Sequence, residues 1–438
     1  MHKFFVQNFG CRATQADGAA LESLLAAAGL EPGGAAHAAD LVVLNTCTVT
    51  SAADDDVRKS IHRVHRENPA ARILVTGCYA QRSPEELARI PGVTWVVGNT
   101  HKTAIAGIVQ SAEATVGAPY HGQIHVGDIL EARDFLSSPV EDSAGDRARP
   151  NLKIQDGCNN VCTFCIIPSV RGRSRSMPAL EVVAQVRALA RDYREVVLTG
   201  VNLGRWGRDP QTPEDRRMRL SGLLRLLLRE TPVERLRVSS VEPMDFSGDL
   251  IELMAGEPRI CPHVHMPLQS GSDAVLKRMK RRYRARHYED RLTKASAKLP
   301  EAAFGADVMT GFPGETEAEF RETHDFIARL PFTYLHVFTY SERPGTPAAA
   351  WPQTPHPVRK ERTRALRALA EEKNRAFRAR FVGRPLEVVT LGGARALSGN
   401  YIPVELAHPR EANLLLTVRA GGLTANGARE ASVLPLLA

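Results

Sequence analysis

No stretch of the 438-residue chain approaches the run of about eighteen apolar residues that a membrane-spanning helix needs, which excludes a helical span. The opening Met1-His2-Lys3-Phe4-Phe5-Val6 is too short and too soon polar for a signal peptide, so export is not expected. Cysteines number only seven. An odd count in a long chain without an export signal fits a reducing compartment and metal ligation better than disulfides, and the expected location is the cytoplasm. Acidic residues are outnumbered: 57 Lys and Arg face 49 Asp and Glu, a formal net charge of +8 that is consistent with a polyanionic partner. Hydrophobic content of 43% and charged content of 24% describe an ordinary globular protein. The length exceeds one core of usual size and implies two to four domains.

Three cysteines stand in one short stretch, Ile154-Gln155-Asp156-Gly157-Cys158-Asn159-Asn160-Val161-Cys162-Thr163-Phe164-Cys165, a CxxxCxxC array. The apolar run 152–154 enters it as a strand, and Gly157 with two asparagines loosens the backbone into a loop. Thiolates are soft ligands that favour zinc or iron–sulfur centres. Structural zinc usually closes with four ligands, and this array stops at three. A cubane 4Fe–4S cluster on three thiolates leaves one iron free for a substrate or cofactor. A zinc loop or three buried cysteines are the alternatives.

Residues 1 to about 125 alternate apolar runs with helical segments. Residues 4–6, 41–44, 73–75 and 93–97 read as short buried strands. Leu21, Leu24, Leu25 and Ala28 mark one face of a helix that Gly29 ends. This alternation predicts an open, mostly parallel α/β sheet. Cys11 follows the first strand, Cys47 ends the second and Cys78 ends the third. The carboxyl ends of parallel strands share one edge where ligands bind, so these three cysteines are expected to converge there as a second three-thiolate site. Asp54-Asp55-Asp56 reads as a solvated helix start, and His62 and His65 lack companions at ligand spacing.

Residues 126–150 are expected to form a linker, in which the stretch from about 132 to 150 is polar and poor in aliphatics and reads as a mobile connector. From 151 to 380, strand-like runs at 152–154, 196–198, 236–238, 264–268, 306–309 and 335–338 alternate with helices; the first helix opens at Pro178 and carries Val182, Val183, Val186 and Leu189 on one face. Six βα repeats predict a parallel barrel short of the usual eight, with its site at the strand carboxyl ends. Thr199-Gly200-Val201-Asn202, Ser239-Ser240-Val241-Glu242-Pro243, Gln269-Ser270-Gly271-Ser272 and Thr310-Gly311-Phe312-Pro313 end the second to fifth strands. The run from Lys277 to Arg286 is the densest basic stretch, and Tyr283 and Tyr288 within it suit stacking on unpaired bases. Arg171, Arg173 and Arg175 are expected at the barrel mouth, while Cys261 reads as structural. Residues 359–380 form a basic amphipathic helix with Ala365, Leu366, Leu369, Ala376 and Phe377 on its apolar side. After Gly383, strands at 386–390, 401–406 and 414–418 predict a small antiparallel barrel over 381–438.

The longer pattern from Asp156 through Cys165, Pro168, Arg171 and Gly172 resembles the signature loop of radical S-adenosylmethionine (SAM) enzymes, and within them the methylthiotransferase branch. The resemblance implies a partial (β/α)6 barrel. It implies that Cys158, Cys162 and Cys165 are catalytic, holding a 4Fe–4S cluster whose open iron chelates SAM for reductive cleavage to a 5′-deoxyadenosyl radical. Asn8-Phe9-Gly10-Cys11, Asn45-Thr46-Cys47-Thr48-Val49 and Thr76-Gly77-Cys78-Tyr79-Ala80-Gln81 resemble the N-terminal domain of that branch, which implies an auxiliary 4Fe–4S cluster on Cys11, Cys47 and Cys78. Arg12-Ala13-Thr14 departs from the family, where a Lys or Gln, a small residue and Asn commonly follow. Phe164, Thr199, Gly200, Asn202, Ser240, Glu242, Gln269 and Asp307 are the implied SAM contacts. The C-terminal segment is similar to the TRAM domain, an RNA-binding barrel.

The implied reaction replaces a C–H bond by C–S–CH3. The motifs around Cys158, Asn202 and Glu242, with Met279 to Tyr283, resemble most the type acting at C2 of N6-threonylcarbamoyladenosine at position 37 of the tRNA anticodon loop. The family's usual His in place of Asn202 is absent. Related branches act on isopentenyladenosine in tRNA or on a ribosomal-protein aspartate, and a non-catalytic iron–sulfur RNA-binding protein is a further alternative. An electron donor such as flavodoxin or ferredoxin is implied.

Overall fold

The computed structural model describes residues 1–111, 122–136, 148–209 and 217–431. The first unit is a six-stranded sheet in which every pairing is parallel. Its strands are β1 (Lys3–Asn8), β2 (Glu31–Pro32), β3 (Leu41–Thr46), β4 (Arg72–Gly77), β5 (Val93–Val97) and β6 (Gln123–His125), ordered β2-β1-β3-β4-β5-β6. The edge strands β2 and β6 went unanticipated because they are too short and polar to form an apolar run. Alternation along each strand buries both faces. Val42, Leu44, Ile73 and Val75 meet Val57, Ile61 and Val64 of α2 (Ser51–Glu67). Leu41, Val43 and Leu74 meet Leu21 and Leu25 of α1 (Arg12–Ala27) on the other side.

Asp54 departs from the expected solvated helix start. It is buried, paired with Arg343 at 2.7 Å and Arg82 at 3.1 Å, and its other oxygen accepts from Thr48 Oγ1. Arg343 comes from the central unit, so this carboxylate ties the two together. The expected connector is also partly ordered. Ile129 and Leu136 are buried, the latter beneath α1, while 137–147 lie outside the described residues.

Six parallel strands form the predicted partial barrel. Strands β7 (Asn151–Asp156), β9 (Glu195–Gly200) and β10 (Arg235–Val238) make one sheet, which a two-residue strand β8 (Arg175–Ser176) joins antiparallel to β7. Strands β11 (His263–His265), β12 (Ala303–Thr310) and β13 (Tyr334–Thr339) make the other. A bridge from Leu236 to Ile260 and the bond from Val241 N–H to His265 O connect them. The helix after Pro178 spans Ala179–Asp192 and buries all four residues expected on its face.

The long helix His356–Ala379 packs differently from expectation. Leu366, Ala370 and Phe377 are buried, but so are Arg359, Arg362 and Arg378, whereas Ala365 and Ala376 are exposed. These guanidiniums end on protein groups: Arg362 on Glu315 at 2.8 Å, and Arg378 on the Gly427 carbonyl at 2.7 Å. Beyond it, strands at Pro385–Thr390, Gly393–Ser398, Pro403–Arg410, Leu415–Leu423 and Ala428–Glu430 close a five-stranded barrel, antiparallel save for one parallel pair. Tyr401, expected in a strand, instead occupies the turn before Pro403 with φ +66°.

Glu195, at the start of β9, anchors this barrel indirectly. Its carboxylate receives Arg237 at 2.7 Å, Arg235 at 2.8 Å and Arg149 at 3.0 Å, and Arg237 in turn donates to the carbonyls of Ser398 and Gly399. Burial pushes the Glu195 carboxyl up, but the three guanidiniums outweigh it and bring it down to about 2. A depressed folded-state pKa contributes stability above the ordinary glutamate range and loses it as pH falls. Glu195→Gln should therefore cost about 3–5 kcal/mol at neutral pH, because it strands buried cations. It should also flatten the acid limb of the unfolding midpoint between pH 5 and 3, read by urea denaturation.

Candidate active site

The CxxxCxxC loop leaves β7 through Gly157, whose φ is +70° and where an added Cβ would lie 2.0 Å from the Arg173 carbonyl oxygen, so only glycine fits. The N–H of Cys158 then donates to Gly172 O at 3.0 Å, while Thr163 binds the carbonyls of Met279 and Arg278. Phe164 sets its ring against Phe312 at 6.4 Å, nearly perpendicular. The sulfurs are met by N–H donors. Asn160 N–H (3.4 Å) and Asn202 Nδ2 (3.6 Å) face Cys158, and Arg281 Nη1 (3.3 Å) faces Cys162. Burial raises the Cys158 thiol and, with the neighbouring sulfurs, brings Cys165 to about 12.

The other three cysteines follow the carboxyl ends of neighbouring strands on one sheet edge. Parallel pairing of Asn8 with Asn45 and of Thr46 with Gly77 levels the carboxyl ends of β1, β3 and β4. Gly10, with φ +105°, lets Cys47 approach so closely that an added Cβ would stand 2.5 Å from the Cys47 Cβ. Burial, followed by the charges of Cys78 and Cys11, brings Cys47 up to about 12. Thr14 lies 3.6 Å from Cys11 Sγ and accepts from Arg171. Asn99 Nδ2 donates to Val170 O at 2.6 Å and lies 3.7 Å from Cys78 Sγ, so the first triad abuts the helix that follows the second loop.

Behind both triads lies a buried charge cluster. Asp17 of α1 meets Lys102 (2.7 Å), Lys153 and Arg171 (3.0 Å); Asp156 meets Lys153 (2.7 Å) and Arg171 (3.0 Å). Burial raises the Asp17 carboxyl, yet the three cations hold it well below the usual range. Lys102 shifts down instead, because burial and the neighbouring cations outweigh Asp17. Three cations face two carboxylates, leaving one positive charge next to the thiols. Arg171 itself is held protonated: its burial is outweighed by Asp156, Cys78, Asp17 and Cys11.

A cavity of about 590 Å³ opens between the units. Cys11 lines it beside Cys158, Cys162 and Cys165, and so do Phe164, Thr199, Gly200, Asn202, Ser240, Glu242, Gln269 and Asp307. Cys47 and Cys78 lie buried behind it. Asn202 Oδ1, Gln269 Oε1 and Ser239 Oγ are buried without a partner, and Gln269 sits at φ +65°, a backbone state that costs a non-glycine residue energy. Such orphaned groups fit a polar ligand such as SAM. Glu242 is tied to Arg281, Ser240 to His265 Nδ1 at 2.6 Å, and Asp307 lies 3.5 Å from His265 Nε2. Among the described residues no three His, Cys, Asp or Glu side chains converge tightly enough for one metal ion. The N–H donors on the sulfurs of Cys158 and Cys162 favour their thiolate forms, the state in which cysteine ligates a metal or a cluster.

Other expectations fail for tertiary reasons. Tyr283 and Tyr288 are fully buried, with their hydroxyls on the carbonyls of Leu268 and Met266, so neither can stack on a base. Arg281 turns inward from the basic run, leaving Lys277, Lys280, Arg282 and Arg286 exposed. Of the three arginines after the loop only Arg171 lines the cavity; Arg173 is exposed and Arg175 binds the Ala132 carbonyl. Cys261 is buried near Glu195, as a structural residue should be. Missed were Asp17, Lys102, His263, Tyr334 and Tyr401. The one available signal was Lys153, a charge set between Leu152 and Ile154 inside a buried strand. Asp17→Asn should lower unfolding stability by about 3–5 kcal/mol. The exposed Asp55→Asn, which loses only a surface pair with Arg58, should cost less than about 1 kcal/mol in the same denaturation series.

The model of the radical SAM superfamily matches residues 152–327, and that of the uncharacterized protein family UPF0004 matches 3–98. The threonylcarbamoyladenosine tRNA methylthiotransferase MtaB of Aquifex aeolicus is 36% identical over 95% of this chain and 99% of its own. The Bacillus subtilis protein of the same name is 40% identical over 87% and 83%. A tRNA-2-methylthio-N(6)-dimethylallyladenosine synthase of Rhodococcus jostii is 36% identical over 95% and 84%. Among solved structures, the radical SAM methyltransferase TsrM of Kitasatospora setae shares the fold, with a TM-score of 0.60 at 17% identity over 79% of this chain and 74% of that one. With two family models on the two units that meet at the cavity, and relatives aligned along nearly the whole length, the chain belongs to the radical SAM methylthiotransferase family of transferases.

Proposed function

We propose that this enzyme methylthiolates C2 of N6-threonylcarbamoyladenosine at position 37 of tRNA, in the cytoplasm. The observation that carries the reaction is the single cavity that Cys11 of the first triad shares with Cys158, Cys162 and Cys165 of the second. The substrate reading is supported by the 40% identity to the Bacillus subtilis protein of that name, above the 36% shared with the Rhodococcus jostii dimethylallyladenosine synthase, and by a cavity wall with three arginines against two carboxylates.

The target C–H bond offers no acidic proton, so side-chain acid–base chemistry cannot break it and a cofactor must. A 4Fe–4S cluster on Cys158, Cys162 and Cys165 would supply reductive cleavage of SAM, and one on Cys11, Cys47 and Cys78 would supply the sulfur that a second SAM methylates. The chain's own residues prepare that chemistry. Deprotonation of the buried thiols accompanies metal binding. Asn160, Asn202 and Arg281 donate to the second triad and favour its thiolates. The positive surplus around Arg171 favours an anionic body at the first. Gln269, Asn202 and Ser239 offer unpaired polar atoms to the ammonium and hydroxyl groups of SAM, and Phe164, Thr199, Gly200, Ser240, Glu242 and Asp307 complete its wall. A low-potential flavodoxin or ferredoxin is the fitting electron donor, and the closed C-terminal barrel is a fitting RNA-binding element.

Nucleoside mass spectrometry of tRNA from a deletion strain tests the substrate. The methylthio group should vanish from threonylcarbamoyladenosine and return with the wild-type gene but not with Cys158→Ala. Loss from the isopentenyl derivative instead would transfer the assignment to that nucleoside, and unchanged tRNA would point to the ribosomal-protein reading.

A further inference from the structure

One wall of the cavity is built jointly by all three units. His263 of β11 and Tyr401 of the C-terminal barrel stack with centroids 4.3 Å apart and planes 19° from parallel. Tyr334 of β13 lies 5.6 Å from Tyr401. Arg12, the first residue of α1, donates from Nη2 to the Tyr401 hydroxyl at 3.0 Å. All four line the cavity together with Cys11 and Cys158. Tyr401 holds its place in a left-handed backbone conformation that bulky residues rarely adopt, the kind of strain that collects at binding sites.

This wall carries positive charge at Arg12. Among the described residues no carboxylate pairs with Arg12. The acidic residues that line the cavity are engaged elsewhere, Glu242 with Arg281 and Asp307 with His265, and Glu195 is held by three arginines at once. His263 remains neutral, because burial and then Arg237, His265 and Arg12 disfavour its protonation. Arg12 also opens α1, whose N-cap Cys11 supplies no side-chain cap, so the helix dipole adds to the preference for an anion.

We propose that Arg12 and Tyr401 form a carboxylate-binding subsite that receives the threonylcarbamoyl arm of the substrate, while His263 and Tyr334 present aromatic faces beside it. The proposal rests on the threonylcarbamoyladenosine reading and deepens it by naming the residues that read the substrate. An arm ending in a carboxylate satisfies the guanidinium; an isopentenyl arm leaves it desolvated and unpaired, which disfavours that nucleoside.

The test is equilibrium binding of the anaerobically reconstituted protein to a fluorescent anticodon stem-loop RNA. The RNA carries threonylcarbamoyladenosine either as the free acid or as its methyl ester. Wild type should bind the acid about tenfold or more tightly than the ester, the size of one charge-assisted hydrogen bond. Arg12→Gln should abolish the difference, Arg12→Lys should restore part of it, and Tyr401→Phe should reduce it, with iron content unchanged. Equal binding of acid and ester by wild type would overturn the proposal whatever the variants do. So would a preference that survives in Arg12→Gln, or an equal loss for both RNAs. If wild type methylthiolates an isopentenyl stem-loop and ignores the acid, the substrate reading itself fails. If it methylthiolates the acid but binds the ester equally well, only the Arg12 subsite fails.

Discussion

Asp17 is one of two carboxylates on α1, and the geometry of the catalytic cavity depends on it. It receives Lys102 from its own unit together with Lys153 and Arg171 from the barrel, in a site from which water is excluded. Buried ions tolerate little displacement, because separation leaves each uncompensated in a low-dielectric medium. The cluster therefore fixes the start of α1, which carries Cys11, relative to the end of β7, which carries Cys158. The Asp54–Arg343 pair makes a second fixed point on the opposite strand edge.

Charge and shape then act together. Two carboxylates against three cations leave the network cationic, and its unbalanced guanidinium lies beside the first sulfur triad. The second triad draws on Arg281 and two asparagines. Each sulfur set is thus surrounded by donors that stabilise negative charge, while the space between them is lined by polar atoms without partners. Burial of those atoms is costly in the free protein, and a ligand that satisfies them recovers that cost. The C-terminal barrel belongs to this cavity too, since Tyr401 completes its wall and Arg237 holds the turn from which it projects.

Much of this was legible beforehand where local pattern decides the outcome. Cys47 and Cys78 each close an apolar run, and parallel strand ends must share an edge, so their convergence followed from topology. Seven of the eight residues named as SAM contacts lie in the cysteine loop or at or just past a strand's carboxyl end, Asp307 sits within β12, and all eight line the cavity. What stayed hidden depended on partners distant in sequence. Tyr283 and Tyr288 look like surface aromatics within a basic run, but the helices Asp273–Arg278 and Ala285–Lys298 turn them into the core. Arg281 differs from its neighbours only in facing Cys162 and Glu242. Arg359, Arg362 and Arg378 make a helix read as solvent-facing when their guanidiniums in fact satisfy buried acceptors. Tyr401 carries no signal at all until the barrel docks.

The central claim is that two triads of thiols, set on separate units, each hold an iron–sulfur cube within one shared cavity. Mössbauer and pulsed electron paramagnetic resonance measurements on anaerobically reconstituted, dithionite-reduced protein test it directly. The account predicts two 4Fe–4S clusters whose spins couple across the cavity, with Cys11→Ala removing one and abolishing the coupling. A single cluster in the wild type, or two that are magnetically independent, would contradict it.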